Sequence, residues 1–219
     1  MQRHFVSFPK SGRTWIRYIL TQLEIEPLIR FHHDGFEFND GAKPPLDFNL
    51  TERLARYSRI DKLVYLERDP RDVMVSLYSQ ITGRFSDFFC YRGSISEFIR
   101  DEYFGAENLL RFRELWSRIT DRHGFLVITY EECHKDIAES VGKVLNYYEL
   151  AADRQRILQA VYNATFEKMK VVEQSGEFPF PWLRPRNDAP KVRRGQVGGF
   201  RDALCPEDIG YLNSVFRIP

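Results

Sequence analysis

The chain has 219 residues, 43% of them apolar and 29% charged, with a formal net charge of +1. That length suits one sizeable core without forcing a second, so a single domain over residues 1–219 is expected, and the apolar share excludes disorder across the whole chain. Near-neutral charge speaks against bulk attraction to nucleic acid or to an anionic membrane, so any anion site must be local.

The first nine residues hold no basic start followed by an apolar run, and no stretch of about 18 uninterrupted apolar residues exists, so a cytoplasmic, non-membrane protein is expected. Cys90, Cys133 and Cys205 lie far apart, with neither metal-ligand spacing nor the even count of a disulfide framework; no metal site is predicted.

In chain order, residues 4–8 read as a strand that Pro9 ends, and a glycine-containing turn leads into helical spacing over residues 15–23. The junction reads Phe8-Pro9-Lys10-Ser11-Gly12-Arg13-Thr14-Trp15. Free N–H groups of a helix start, a glycine able to take positive φ, hydroxyls at Ser11 and Thr14 and the charge of Lys10 together make an anion cradle. An ordinary turn with exposed charges is the plainer reading. The triphosphate loop GxxxxGK[ST] is absent, because the lysine precedes the glycine and no second glycine lies upstream.

Residues 28–32 predict a short second strand, followed by His32-His33-Asp34-Gly35. Consecutive strand side chains point to opposite faces, so only one of the two histidines is expected to face any site beyond the strand. Residues 62–68 predict a third strand. Beyond it Asp69 is placed to cap a helix with Pro70 in its first turn and Asp72 near the positive end of its dipole, the helix running to about Thr82. The stretch Arg68-Asp69-Pro70-Arg71-Asp72 also fits a solvated, salt-bridged turn, and Ser76 lies about two helical turns further on.

The aromatic residues Phe85, Phe88, Phe89, Tyr91, Phe98, Tyr103 and Phe104 either wall a ligand pocket or, as is commoner, pack a core or a subunit contact. Ser94 and Glu97 match a capping box, and Leu109, Phe112, Trp116 and Ile119 recur at helical spacing before Gly124. A fourth strand is predicted over residues 125–130 and a helix over residues 137–148. Strands alternating with helices imply an α/β fold whose parallel sheet is covered on both faces and binds ligands at strand C-terminal ends. From Gln174 to Arg201 prolines and glycines interleave with Arg184, Arg186, Lys191, Arg193, Arg194 and Arg201. A loop of that length is more often functional than filler, and adjacent arginines beside a glycine can fold around a phosphate.

Together the three basic stretches resemble the sulfotransferases that use 3'-phosphoadenosine 5'-phosphosulfate (PAPS) as donor. The family's loop PKSGTTW stands here as Pro9-Lys10-Ser11-Gly12-Arg13-Thr14-Trp15, with Arg13 in place of a threonine. The resemblance implies that Lys10, Ser11, Gly12, Arg13 and Thr14 surround the sulfuryl donor and that Trp15 lies against adenine. An Arg followed eight residues later by Ser, the family's 3'-phosphate motif, is matched by Arg68 and Ser76; its closing RKGxxG is similar to Arg193-Arg194-Gly195-Gln196-Val197-Gly198, although Gly199-Phe200 stand where Asp-Trp usually follows. Tyr130 and Phe166 match its adenine contacts, with Ala164 where a threonine is usual.

The His-Asp-Gly form favours His33 as catalytic base, with Lys10 stabilising transferred charge; Phe31 stands where a lysine is common, so that charge must come from elsewhere, Arg13 being one source. What the resemblance implies overall is a three-layer, P-loop NTPase-like sandwich with a central parallel sheet. It would move a sulfuryl group from PAPS to a hydroxyl, or an amine, of a small-molecule or carbohydrate acceptor, without a metal or a nucleic-acid partner. A homodimer stays open. The rivals are a P-loop kinase, which lacks its GK[ST] pair, and a non-catalytic nucleic-acid module, suggested by the basic loop and Trp182.

Overall fold

Four strands, β1 (Arg3–Ser7), β2 (Arg30–His32), β3 (Lys62–Glu67) and β4 (Leu126–Thr129), form one parallel sheet in the order β2-β1-β3-β4. They belong to a computed structural model that describes residues 1–38, 43–193 and 195–219. Phe5 pairs with Val64 and Val6 with Tyr65 across β1 and β3, and Leu66 pairs with Ile128 across β3 and β4. Because alternate side chains leave a strand on opposite faces, Val6, Leu63 and Tyr65 enter one apolar cluster and Phe5, Val64 and Leu66 the other. Burial on both faces explains why these strands read as apolar runs rather than as alternating ones.

Helix α1 (Arg13–Gln22) follows β1, α2 (Leu50–Tyr57) joins β2 to β3, and α3 (Pro70–Ser79) follows β3. Asp69 caps α3 by accepting from the Arg71 N–H, with Pro70 in the first turn, as its sequence predicts. The helix stops three residues short of the expected Thr82: the chain passes at Gln80–Arg84 into a π turn. Thr82 Oγ1 donates back to the Tyr78 carbonyl there, and the Gln80 amide donates to the Phe38 carbonyl, both drawing the chain away from a regular ladder.

Two short helices, α4 (Ser86–Phe89) and α5 (Ile95–Ile99), precede the long α6 (Ala106–His123). The Ser94–Glu97 capping box opens α5, and Gly124, at φ 64°, ends α6. After β4 come α7 (Tyr130–Lys135), α8 (Ile137–Tyr147), α9 (Arg154–Asn163) and α10 (Phe166–Ser175), and α11 (Pro206–Phe216) completes the described elements. Tyr130, expected at the end of the fourth strand, instead opens α7, because Thr129 and Glu132 form a second capping box.

On one face Tyr65, Phe112 and Trp116 pack with α2, α3, α6 and α11; on the other Phe5, Ile19 and Ile128 pack with α1, α8 and α9. Of the aromatic stretch after α3, Phe98 and Phe104 are core and stack on each other at 5.4 Å. Phe88 is exposed, while Phe85 borders the cavity described next. Among the described residues, no helix is long and apolar enough to cross a membrane.

Candidate active site

The C-terminal ends of β1, β2 and β3 open into a cavity of about 1160 Å³, deep enough to take more than one drug-sized molecule. Lys10, Gly12, Arg13, Thr14 and Trp15 line it from the first loop, His33 from the end of β2, and Arg68 and Ser76 from β3 and α3. Tyr130, Phe166, Arg193 and Gly195 complete the set. Three stretches remote in sequence therefore share one space. Ser11 does not reach it: its side chain is buried at a small recess with Phe8, Tyr65 and Arg68. Arg194 lies outside the described residues.

The first loop turns sharply. Lys10 and Gly12 both hold positive φ, at 74° and 97°. A Cβ on Gly12 would stand 2.3 Å from the Tyr130 ring, so both the backbone angle and the close approach require glycine. The Ser11 and Trp15 N–H groups donate to the carbonyls of Phe8 and Gly12, while those of Arg13 and Thr14, in the first turn of α1, have no intrahelical acceptor. Free N–H groups at a helix start suit an anion.

Arg68 ties the loops together. Its guanidinium donates to the Lys10 carbonyl at 3.2 Å and to the Gln196 carbonyl at 2.9 Å, and lies 4.3 Å from the Tyr130 ring centre, yet its buried Nε has no partner. Trp15, Tyr130 and His134 form an aromatic slot beside it; the Trp15 and Tyr130 rings are 6.0 Å apart and the Trp15 indole donates to the Ala164 carbonyl. Phe166 packs against Gly195, where a Cβ would meet the ring at 3.3 Å.

Two buried carboxylates hold the basic loop. Asp72 accepts from the N–H groups of Gly198 at 2.8 Å and Phe200 at 2.9 Å. Glu173 accepts from those of Lys191 and Val192, the latter at 2.8 Å. The sequence reading missed this task for Asp72, treating it as a dipole partner on a solvated turn, and missed Glu173 altogether; burial is what turns each into a clasp, and no local pattern carries burial. His134, Arg84 and Lys191 are cavity residues the motifs did not single out.

The two histidines part as expected. His33 Nδ1 lies 2.7 Å from the Ser7 carbonyl, which can only accept, so Nδ1 carries the proton and Nε2 keeps a free lone pair. Burial and the nearby Arg13 hold this imidazole well below its usual pKa and hence neutral. His32 is absent from the cavity lining and meets His4 at 2.9 Å with its ring stacked on Tyr57; burial beside His4 and Arg13 pushes it down to about 3.

Positive charge crowds the cavity. Burial, with Arg84, Arg193 and Arg68 close by, lowers Lys10 to about 7. Burial and Arg17 lower Arg13 to about 10. Unbalanced buried cations cost free energy unless an anion meets them. These residues fit a polyanionic ligand. Among the described residues, no group of three or more His, Cys, Asp or Glu is placed to hold a metal ion.

A family model described as "Sulfotransferase domain" matches residues 57–218. The chain is 28% identical to human sulfotransferase 2B1 over 222 residues, covering 90% of this chain and 60% of that protein. It is 21% identical to the rabbit amine sulfotransferase over 241 residues, covering 97% of this chain and 78% of that one. The chain thus spans well under the full length of these relatives. Among solved structures, mouse sulfotransferase SULT7A1 complexed with PAP superposes with a TM-score of 0.69 at 15% identity, over 98% of this chain and 82% of that one. Retinol dehydratase in complex with androsterone and inactive cofactor PAP reaches 0.65 at 18% identity, over 99% and 79%. The strand order, the helix-start anion cradle and a family match across most of the sequence agree, and the chain belongs to the sulfotransferase family.

Proposed function

We propose that this chain transfers the sulfuryl group of PAPS to a hydroxyl, or an amine, of a small-molecule or carbohydrate acceptor. The observation that carries the reading is the convergence of Lys10, Arg68 and Arg193 on one cavity, where the buried Nε of Arg68 has no hydrogen-bond partner and burial among cations lowers Lys10 to about 7. The PAP complexes of the structural relatives support the same donor.

In this reading the backbone of Gly12, Arg13 and Thr14, with the Lys10 ammonium, grips the 5'-phosphosulfate; Ser11 helps only through the course of the loop. Arg68, Ser76, Arg193, Arg194 and Gly195 take the 3'-phosphate, and Trp15, Tyr130 and Phe166 flank the adenine. His33 Nε2 accepts the acceptor's proton as its oxygen bonds to sulfur. Lys10 and the first-turn N–H groups of α1 receive the negative charge that the breaking sulfur–oxygen bond leaves on the bridging phosphate oxygen, a stabilisation strongest in a water-poor cleft.

The test is calorimetric. 3'-Phosphoadenosine 5'-phosphate (PAP) should bind about 10- to 100-fold more tightly than AMP or ATP, since each hydrogen bond to a charged group is worth about 1.5–3 kcal/mol. Equal affinity for AMP would refute the 3'-phosphate site. Preference for ATP would favour a kinase.

A further inference from the structure

His33 stands one residue past the end of β2, where the sheet ladder no longer fixes the chain. The next two residues both turn left-handed, Asp34 at φ 54° and Gly35 at φ 87°, and aspartate is one of the few side chains that tolerate that region. Side chains support this turn. The His33 N–H donates to Glu37 Oε1 at 2.8 Å and the Asp34 N–H donates to His32 Nδ1 at 3.2 Å, while the His33 carbonyl accepts from the Phe36 N–H at 3.0 Å.

The Asp34 carboxylate lies fully buried, and its partners are on α2. The Tyr57 hydroxyl donates to Oδ1 at 2.5 Å, Arg53 Nε donates to Oδ2 at 3.2 Å, and the Arg56 guanidinium lies 3.6 Å from Oδ1. A buried carboxylate costs free energy unless it is fully bonded, and an apolar side chain of similar shape is often as stable, so stability alone is a weak reason for it. Placement is a stronger one. His33 lines the cavity, whereas Asp34, Arg53 and Tyr57 do not. The hydrogen bond to Ser7 sets the tautomer of the His33 ring but lets the ring swing about that contact unless its backbone is fixed as well.

We propose that Asp34 is a positioning residue for His33: bonded to Tyr57 and Arg53 of α2, it fixes the backbone from which the imidazole reaches the cavity and so holds Nε2 in line with the acceptor's proton. This rests on the base role proposed for His33 above. Helix α2 thereby takes part in the reaction without touching substrate. A base must stand within hydrogen-bond reach of the proton it takes, and a misplacement of about 1 Å from a change outside the chemistry can cost about 100-fold in rate.

The test is kinetic and spectroscopic, on the full chain. Tyr57→Phe removes one O–H and keeps the ring that stacks on His32 at 6.1 Å, and Asp34→Asn keeps the shape but removes the charge that Arg53 meets. With labelled PAPS and 2-naphthol, or water, as acceptor, kcat should fall about tenfold in the first variant and about 10- to 100-fold in the second, while the KM for 2-naphthol and the Kd for PAP stay within about threefold. In a His33→Ala background both effects should vanish, because a residue that acts through His33 then has nothing to position. Nitrogen NMR of histidine-labelled protein, with His33 assigned by its loss in His33→Ala, should show the Nδ1–H tautomer in the wild type and a mixture in Asp34→Asn. Full rate in both variants, an equal loss with and without His33, or a loss seen in the PAP Kd instead of kcat overturns the proposal and leaves the base role standing; Tyr57→Phe decides alone if Asp34→Asn does not fold. A wild-type chain that binds PAP but transfers to neither acceptor, or a His33→Ala variant at full rate, sinks the base role and this proposal together.

Discussion

Burial lowers the pKa of both His33 and Lys10, which suits the base role proposed for the first and opposes the cationic role proposed for the second. The Ser7 carbonyl holds the His33 proton on Nδ1, and burial keeps the ring neutral, so Nε2 is ready to accept a proton across the ordinary assay range. His33→Ala should keep PAP affinity within about threefold while turnover falls about 10²- to 10⁴-fold, the usual worth of a general base; single-turnover transfer from labelled PAPS reads this, and unchanged turnover would move the base elsewhere. Lys10 is lowered to about 7 in the free protein because burial, and then the neighbouring cations, disfavour its charge. A bound polyanion favours the charged form and raises that value. At pH 8, where the free amine is mostly neutral, PAP binding should therefore take up close to one proton, and affinity should fall as pH rises above 7. Calorimetry in buffers of different ionisation enthalpy measures the uptake; none in wild type, or the same uptake in Lys10→Met, would contradict it.

The elements that carry the site are joined by side chains acting at a distance in sequence. Helix α3 contributes Asp72, whose two oxygens hold Gly198 and Phe200, and α10 contributes Glu173, which holds Lys191 and Val192. Between the two clasps in sequence lies Arg193, which lines the cavity. Asp72→Ala removes two acceptors at once and should raise the Kd for PAP about 10- to 100-fold with α3 still folded, given about 1.5–3 kcal/mol per charged hydrogen bond. Circular dichroism and calorimetry check the pair of outcomes, and an unchanged Kd would mean that the loop orders without its clasp. Strand and helix types were readable because apolar periodicity, Pro70 and the Ser94–Glu97 box act locally. The end of β4 was misjudged because the Thr129–Glu132 box competes with the strand for Tyr130, and the end of α3 because its back-bonding hydroxyls loosen the ladder.

At the scale of the molecule, the sheet separates two cores, and the loops at its C-terminal edge meet only when the sheet is assembled. PAP at about 100 times its Kd should stabilise the fold by about 2.7 kcal/mol, which for a chain of this size is a Tm rise of about 5–10 °C; AMP at the same concentration should give a much smaller rise. Trp116, fully buried and stacked on Tyr65 at 5.4 Å, should cost about 3–5 kcal/mol on change to Ala, seen in a urea titration, because no neighbour can fill the space of an indole. By itself the sequence determined the α/β alternation, the starts of α3 and α5 and the order of the three basic stretches, since each depends on residues a few positions apart. It also narrowed the histidine pair to one residue facing the cavity. Only the tertiary structure decided that Ser11 faces away from the cavity and that Asp72 and Glu173 are buried clasps. Those outcomes depend on which distant chain segment lies beside each side chain and on how much water is left around it, and neither quantity is written in local spacing.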